Sequence, residues 1–353
     1  MILPFFLIYL IPVIIFINYH LGGWYNYAGL VITFLLLPVV DRYVGRNTYN
    51  LDETQEKALG NMIDYRVITW LAAPVQLAVV FWATWVVSHR PMTMVELVGF
   101  TLSMGVSGAA MGINVAHELI HKHDKFERNL GKVMLWSVSY THWWLEHVAG
   151  HHRNVSTRRD PATARLGESF YRFWPRTVIG SFRSAWNIER KRLLRVNKAV
   201  WSLSNRILHY VAASVAIWIA LYVAWGWRAL VFFLAQSVAA FSLLESVNYL
   251  EHYGLLRRQT GPDTWERVTA KHSWNASETL TNYFLFNLQR HSDHHAHAAR
   301  RYQLLRHSDE APQLPNGYAG MAPLTFVPWL WFKVMDPKAP EEMKALAREQ
   351  AAG

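Results

Sequence analysis

The chain has 353 residues, 52% of them hydrophobic and only 17% charged, with 17 tryptophans, a balance that argues against ordinary soluble domains and for a polytopic membrane protein. A net charge of +10 would suit nucleic acid, but the placement of the basic residues assigns them to a membrane surface instead. Cysteine is absent, which excludes disulfides, thiolate metal sites and iron–sulfur centres within the chain, so any electrons it uses arrive from outside.

Six apolar runs approach the ~20 residues that cross a ~30 Å hydrocarbon layer. They cover 2–19, 25–40, 67–88, 95–116, 207–224 and 229–250. The first has a signal-like apolar core but no charged leader and no small-residue cleavage site, so it is expected to stay as a membrane helix. Short links at 20–24, 89–94 and 225–228 pair the runs into three hairpins. Of 35 Lys and Arg, only Arg90 and Arg228 lie in those links. The positive-inside rule then expects the opposite face, with both termini, to be cytoplasmic. The basic residues serve topology and contact with anionic lipid, and no nucleic-acid partner is expected.

The long connection between the fourth and fifth runs is too polar to cross. It contains a helical piece at 126–150 and a basic run at 183–198, read as a solvated or headgroup-facing helix. Near the end, LTFVPWLWFKVM (324–335) is aromatic-rich and expected at the membrane interface. The final EEMKALAREQAAG reads as a frayed helix or the start of a linker. The fold class expected is an all-α integral membrane protein, six crossings with a cytoplasmic helical cap that carries a histidine-rich dimetal site. Residues 1–353 form one catalytic domain, with the crossings inside 1–250, histidine-rich regions at 115–206 and 251–310, and an interfacial segment at 320–336.

Histidine clusters carry the chemistry. HELIH gives His117 and His121, four apart at the end of the fourth run, where a continued helix puts both rings on one face. EHVAGHH gives His147, His151 and His152, and NYLEHYG places His252 at the end of the sixth run. LQRHSDHHAHAARRY supplies His291, His294 and His295, whose spacing lets the rings converge on one point. Imidazole is the commonest metal ligand. Nine such ligands are too many for one ion of four to six coordination and suit two, while the ligand type alone does not choose between iron, zinc, copper and nickel. HELIH also fits the H-E-x-x-H pattern of zinc proteases, in which Glu118 would be the general base. A histidine-lined metal transporter is a further rival, disfavoured because the ionisable residues crowd at one boundary.

HELIHK, EHVAGHH, NYLEHYG and LQRHSDHHAHAARRYQLL, in that order, resemble the histidine motifs of the membrane-bound diiron alkane 1-monooxygenases, and more distantly those of membrane fatty-acid desaturases and xylene monooxygenases. The resemblance covers nearly the whole chain, and the NYLEHYG element is the one most particular to the alkane-hydroxylating group. It implies two iron ions on His117, His121, His147, His151, His152, His252, His291, His294 and His295. It also implies O2-dependent hydroxylation of a terminal methyl of a medium-to-long n-alkane entering from the bilayer. Electrons would come from rubredoxin, itself reduced by rubredoxin reductase, on the cytoplasmic face of a bacterial inner membrane. Desaturation or hydroxylation of acyl chains, or oxidation of a methyl-aromatic, is the nearest alternative on the same scaffold. Some relatives carry a cysteine-ligated rubredoxin at the C-terminus, which this cysteine-free chain lacks.

Glu118, Glu146, Asp160, Glu251 and Asp293 lie in or just after the clusters and are candidates for carboxylates that orient the metal-binding rings. His20, His89, His209, His272 and His307 read as ordinary core or surface residues, as do His123, His142 and His297 beside the clusters. Thr33, Phe34 and Leu37 on the second run are candidates to line an alkane path. Arg301 and Tyr302 are candidates to brace the last cluster or to meet the electron carrier, and Gly150 to allow close helix approach.

Overall fold

Apolar length dictates the frame. The computed structural model describes residues 2–352, with side chains through residue 349. Among the described residues, six helices are long and apolar enough to cross a membrane: Leu3–Leu21, Gly23–Val44, Asp64–His89, Met94–Ile120, Arg206–Trp225 and Trp227–His252. Each ends within four residues of the apolar run that announced it. The fourth and sixth spans run on to Ile120 and His252, past the expected ends at 116 and 250, because a helix satisfies its backbone wherever nothing interrupts it. Gly22 and Gly226 take positive φ values of 70° and 81°, letting the chain reverse in the first and third short links.

The three short links lie together at one end. The Gly23 N–H donates to Glu96 Oε1 at 2.8 Å, and the Arg228 guanidinium donates to the Arg90 carbonyl at 3.4 Å. Glu96 also closes a capping box with Thr93 at the start of the fourth span. The long connections, and all four histidine clusters, are therefore at the other end. The sixth span is central and packs on the third, fourth and fifth. The second lies at the edge and is mostly exposed, as a lipid-facing helix must be. The chain is a multi-pass membrane protein, predominantly helical, with one short antiparallel hairpin among the described residues pairing Gln259–Gly261 with Thr264–Trp265.

The cap departs from the sequence reading in three places. The piece expected as one helix over 126–150 is broken: Lys125–Trp136 ends in a turn where Ser139 adopts a φ of 53°, and Trp143–Glu146 restarts the helix. The stretch 324–335 is not a simple surface segment. It falls across Tyr318–Thr325 and Pro328–Met335, and Trp331 is fully buried against Tyr249 and Tyr253, while Trp329 stays exposed. The last helix, Glu341–Ala352, is docked, since Met343 and Leu346 are buried and the Leu256 N–H donates to Met343 Sδ at 3.4 Å. The basic run lies in a longer helix, Phe170–Arg195, whose stripe of Phe173, Thr177, Ser181, Ala185, Glu189 and Leu193 is buried at four-residue spacing.

Candidate metal centre

The nine imidazoles meet in two groups. His117, His121, His147, His152 and His294 form one, and His151, His252, His291 and His295 the other, with the ligand nitrogens of each group within 4.8 Å of one another. His117 lies in the last turn of the fourth span and His121 just past its end, so the four-residue spacing delivers both to the group of five.

The second cluster is shaped by a change of helical register. From His147 to His151 the backbone makes a π-turn, and the His152 N–H returns to the His147 carbonyl. Five-residue periodicity puts residues i and i+5 on one face. His147 and His152 accordingly share the group of five, with their Nε2 atoms 3.1 Å apart, and His151 turns to the other group. Gly150 permits this turn to sit under the helix Phe170–Arg195. A Cβ there would meet Glu146 Oε1 at 2.6 Å and Ser184 Oγ at 3.1 Å. In the short helix His291–Ala296, His291 and His295 share the group of four, whereas His294 points to the group of five. The three rings therefore do not converge on one point, as their spacing had led us to expect.

The donor set fits metal ions. The Nε2 pairs His147–His152, His152–His294 and His291–His295 stand 3.1, 3.1 and 3.0 Å apart, contacts that repel when both nitrogens present lone pairs. About 3.0 Å is also the separation of two ligands at right angles, each ~2.1 Å from a shared ion. Nε2 of His117, His121 and His151, both nitrogens of His252, and Nδ1 of His291 and His295 are buried without a hydrogen-bond partner. Burial, with smaller contributions from neighbouring imidazoles, pushes His121, His147, His152, His291, His294 and His295 well below the usual histidine value. Neutral rings with free lone pairs are the state a metal requires.

Two of the five candidate carboxylates touch these rings, both in the group of four. Asp160 Oδ2 lies 2.9 Å from His151 Nδ1 and accepts from the Thr163 hydroxyl at 2.6 Å, while its Oδ1 accepts from the Ala162 N–H at 3.0 Å. Burial works to raise Asp160, but His151 and Thr163 outweigh it and hold the group below the usual carboxylate range. Glu251 Oε2 lies 3.2 Å from His291 Nε2, and its Oε1 has no partner. The other three reach no clustered histidine. Glu118 pairs with buried Lys122 at 2.9 Å and accepts from the Tyr302 N–H, so its carboxylate serves as a brace. Asp293 is held by Arg300 at 2.9 Å and by the Arg306 N–H. Glu146 is buried with Oε1 unpartnered, and burial, reinforced by Asp160, pushes it well above the usual carboxylate range.

An apolar cavity of about 290 Å³ leads to the histidines. Ile11, Ile15, Val106 and the candidates Thr33, Phe34 and Leu37 line it, and it ends on Asn114, His117, Trp143, His147, Glu251 and His291. It thus touches rings from both groups. Trp143 stacks on His147 with centroids 4.3 Å apart, a contact missed in the sequence although Trp143 sits one turn before that histidine. Lys122 was also missed: beyond Glu118, its ammonium donates to the carbonyls of Ala299 and Arg300, tying the first cluster to the last. Arg301 and Tyr302 brace the same junction, through Glu127 at 3.2 Å and the Tyr65 carbonyl at 3.0 Å. Of the histidines read as ordinary, His272 accepts the Thr269 N–H in a segment that packs on the helix His291–Ala296, and His307 meets the Ser277 hydroxyl.

The family model for fatty acid desaturases matches residues 91–325. Alkane 1-monooxygenase 2 of Pseudomonas aeruginosa is 45% identical over 87% of this chain and 82% of its own length. Alkane 1-monooxygenase 2 of Alcanivorax borkumensis is 41% identical over 93% and 87%. The xylene/toluene monooxygenase hydroxylase component of Pseudomonas putida is more distant, 27% identical over 93% and 86%.

Proposed function

The chain belongs to the alkane 1-monooxygenases within the fatty acid desaturase family, and from that premise we propose that it hydroxylates a terminal methyl of medium-to-long n-alkanes to a primary alcohol. The co-reactants are O2, two protons and two electrons from reduced rubredoxin, with water as the second product. The observation that carries this reading is the apolar cavity that ends on His117, His147 and His291, because an alkane offers nothing to bind but surface and must be delivered to the oxidant by shape.

The nine histidines would hold two iron ions, one in each group. When bound, those ions would supply the O2 activation that hydroxylation of an unactivated C–H bond requires. The protein's own residues orient and exclude. Asp160 fixes the tautomer of His151 with its Nδ1–H directed at the carboxylate, leaving Nε2 free as a ligand. Trp143 fixes the plane of His147. The cavity wall excludes water, which protects the oxidising step from side reactions. The whole chain acts as one catalytic unit, since the histidines come from four separated segments. The histidine face is read as cytoplasmic, in a bacterial inner membrane, because the basic residues lie on it.

Two measurements test the reading. Purified protein with rubredoxin and its reductase should convert octane or hexadecane to the 1-alcohol, and elemental analysis should find two irons per chain. Turnover of acyl chains without alkane oxidation would move the assignment to the desaturase branch. A single zinc would exclude it altogether.

A further inference from the structure

Beside the metal centre, outside the alkane path, lies a second cavity of about 1440 Å³ walled by the segment Trp144–Asn154, the helix Phe170–Arg195 and the hairpin at 259–265. Its lining carries twelve Arg and Lys side chains and a single acid, Asp263, which is paired with Arg159. Arg176 pairs with Glu168, and Arg192 and Arg206 share the single carboxylate of Glu189. Arg257 donates to backbone carbonyls. Seven cations, among them Arg158, Arg172, Arg183 and Arg195, have neither an ion pair nor a side-chain hydrogen bond among the described residues. These seven side chains are exposed, and their like charges around one concavity raise a positive potential that attracts an anion.

The surroundings say which anion. Trp174 and Thr177 of the helix Phe170–Arg195 bond Ser242 and Glu245 of the sixth span at 3.0 and 2.9 Å, so that helix lies against the last third of a membrane span. Arg206 and Trp144 on the rim belong to, or bond, the first turn of the fifth span, where the Trp144 indole donates to the Tyr210 hydroxyl at 2.7 Å. Just before that span the chain exposes Leu194, Val196, Trp201 and Leu203, the last two at 77% and 90%. Aliphatic and indole side chains displayed next to a span belong in the interfacial layer. The mouth of the cationic cavity therefore opens at headgroup level, and arginine forks match phosphate oxygens two at a time.

We propose that this cavity binds the phosphate headgroup of an anionic phospholipid, which holds the helix Phe170–Arg195 and the second histidine cluster in place from the membrane side. The lipid, rather than free phosphate or the electron carrier, is its occupant.

The test is retention of phosphatidylglycerol against phosphatidylcholine by the purified holoenzyme in mixed micelles, read by native mass spectrometry. The wild type should retain phosphatidylglycerol preferentially. The variant R158Q/R172Q/R183Q/R195Q should lose at least about ten-fold of that retention, given that each cation near an anionic surface is worth about five-fold. A control variant, R267Q/K271Q, removes exposed cations outside the cavity and should retain lipid like the wild type. Unchanged retention in the quadruple variant overturns the proposal. Two competitions on the wild type do so without relying on that variant's folding. Release of the lipid by millimolar inorganic phosphate would make free phosphate the occupant, and release by oxidised rubredoxin would make the cavity the carrier's seat.

Discussion

The two histidine groups are built from the same ligand yet sit in different surroundings. The group of five contains no carboxylate in contact with a ring, lies beside the Lys122–Glu118 ion pair, and includes the partly exposed His152. The group of four is buried throughout and carries both carboxylates that touch a ring, Asp160 at His151 and Glu251 at His291. Both groups border the cavity, through His117 and His147 on one side and His291 on the other. The difference teaches that two chemically alike sites can be made unlike by what stands behind the rings. Ligand number and outer charge set how strongly each site holds an ion and how much room it leaves.

The largest effect comes from removing a ligand outright. His252→Ala should strip the group of four of a ligand that has no other partner and abolish turnover, a loss beyond the 10–100-fold typical of outer partners. His121→Ala should do the same to the group of five. Metal analysis of the two variants tests the separation: each should lose one ion and keep the other. If either loses both, the groups are one coupled site and the comparison fails.

Next in size is the response of the metal-free protein to acid. Six of the nine rings, His121, His147, His152, His291, His294 and His295, all outside the spans, have proton affinities pushed below the ordinary value of 6.5 by burial. A group with a depressed folded value binds its proton first in the unfolded chain. Stability is therefore complete above about pH 6.5 and lost as pH falls below it, by up to about 1.4 kcal/mol per pH unit for each ring. Thermal unfolding of the chelated protein between pH 7.5 and 5.5 measures this, and metal-loaded protein should be far less sensitive over that range. Equal sensitivity of the two forms would mean that metal does not hold the rings neutral.

The spans were legible because crossing a bilayer leaves a long apolar record, and the histidines because nine of them crowd at one boundary. Their division was not legible. It depends on a π-turn at His147–His151 that moves the shared face from i+4 to i+5, and no residue spacing announces a change of hydrogen-bond register. Glu146 and Asp160 looked alike in the sequence, both acids next to the second cluster, and only the fold shows that one meets a ring. The docking of the last helix was hidden for another reason: it rests on Met343 and Leu346, too few apolar residues to make a pattern.

That contrast between two buried acids gives the smaller predictions. Asp160→Asn keeps the shape but replaces the acceptor that fixes His151, and should cost 10–100-fold in metal affinity or activity, about 1.4–2.7 kcal/mol. Glu146→Gln should cost less than about 1 kcal/mol. Glu146 reaches no histidine, and burial with the neighbouring charge of Asp160 pushes it well above the usual carboxylate range, which favours the uncharged acid. An amide of the same shape matches that uncharged form in volume and charge. Metal content and turnover of Glu146→Gln should then stay within about three-fold of wild type. A loss as large as that of Asp160→Asn would show that Glu146 works as an anion, and the special standing of the two ring-touching carboxylates would be gone.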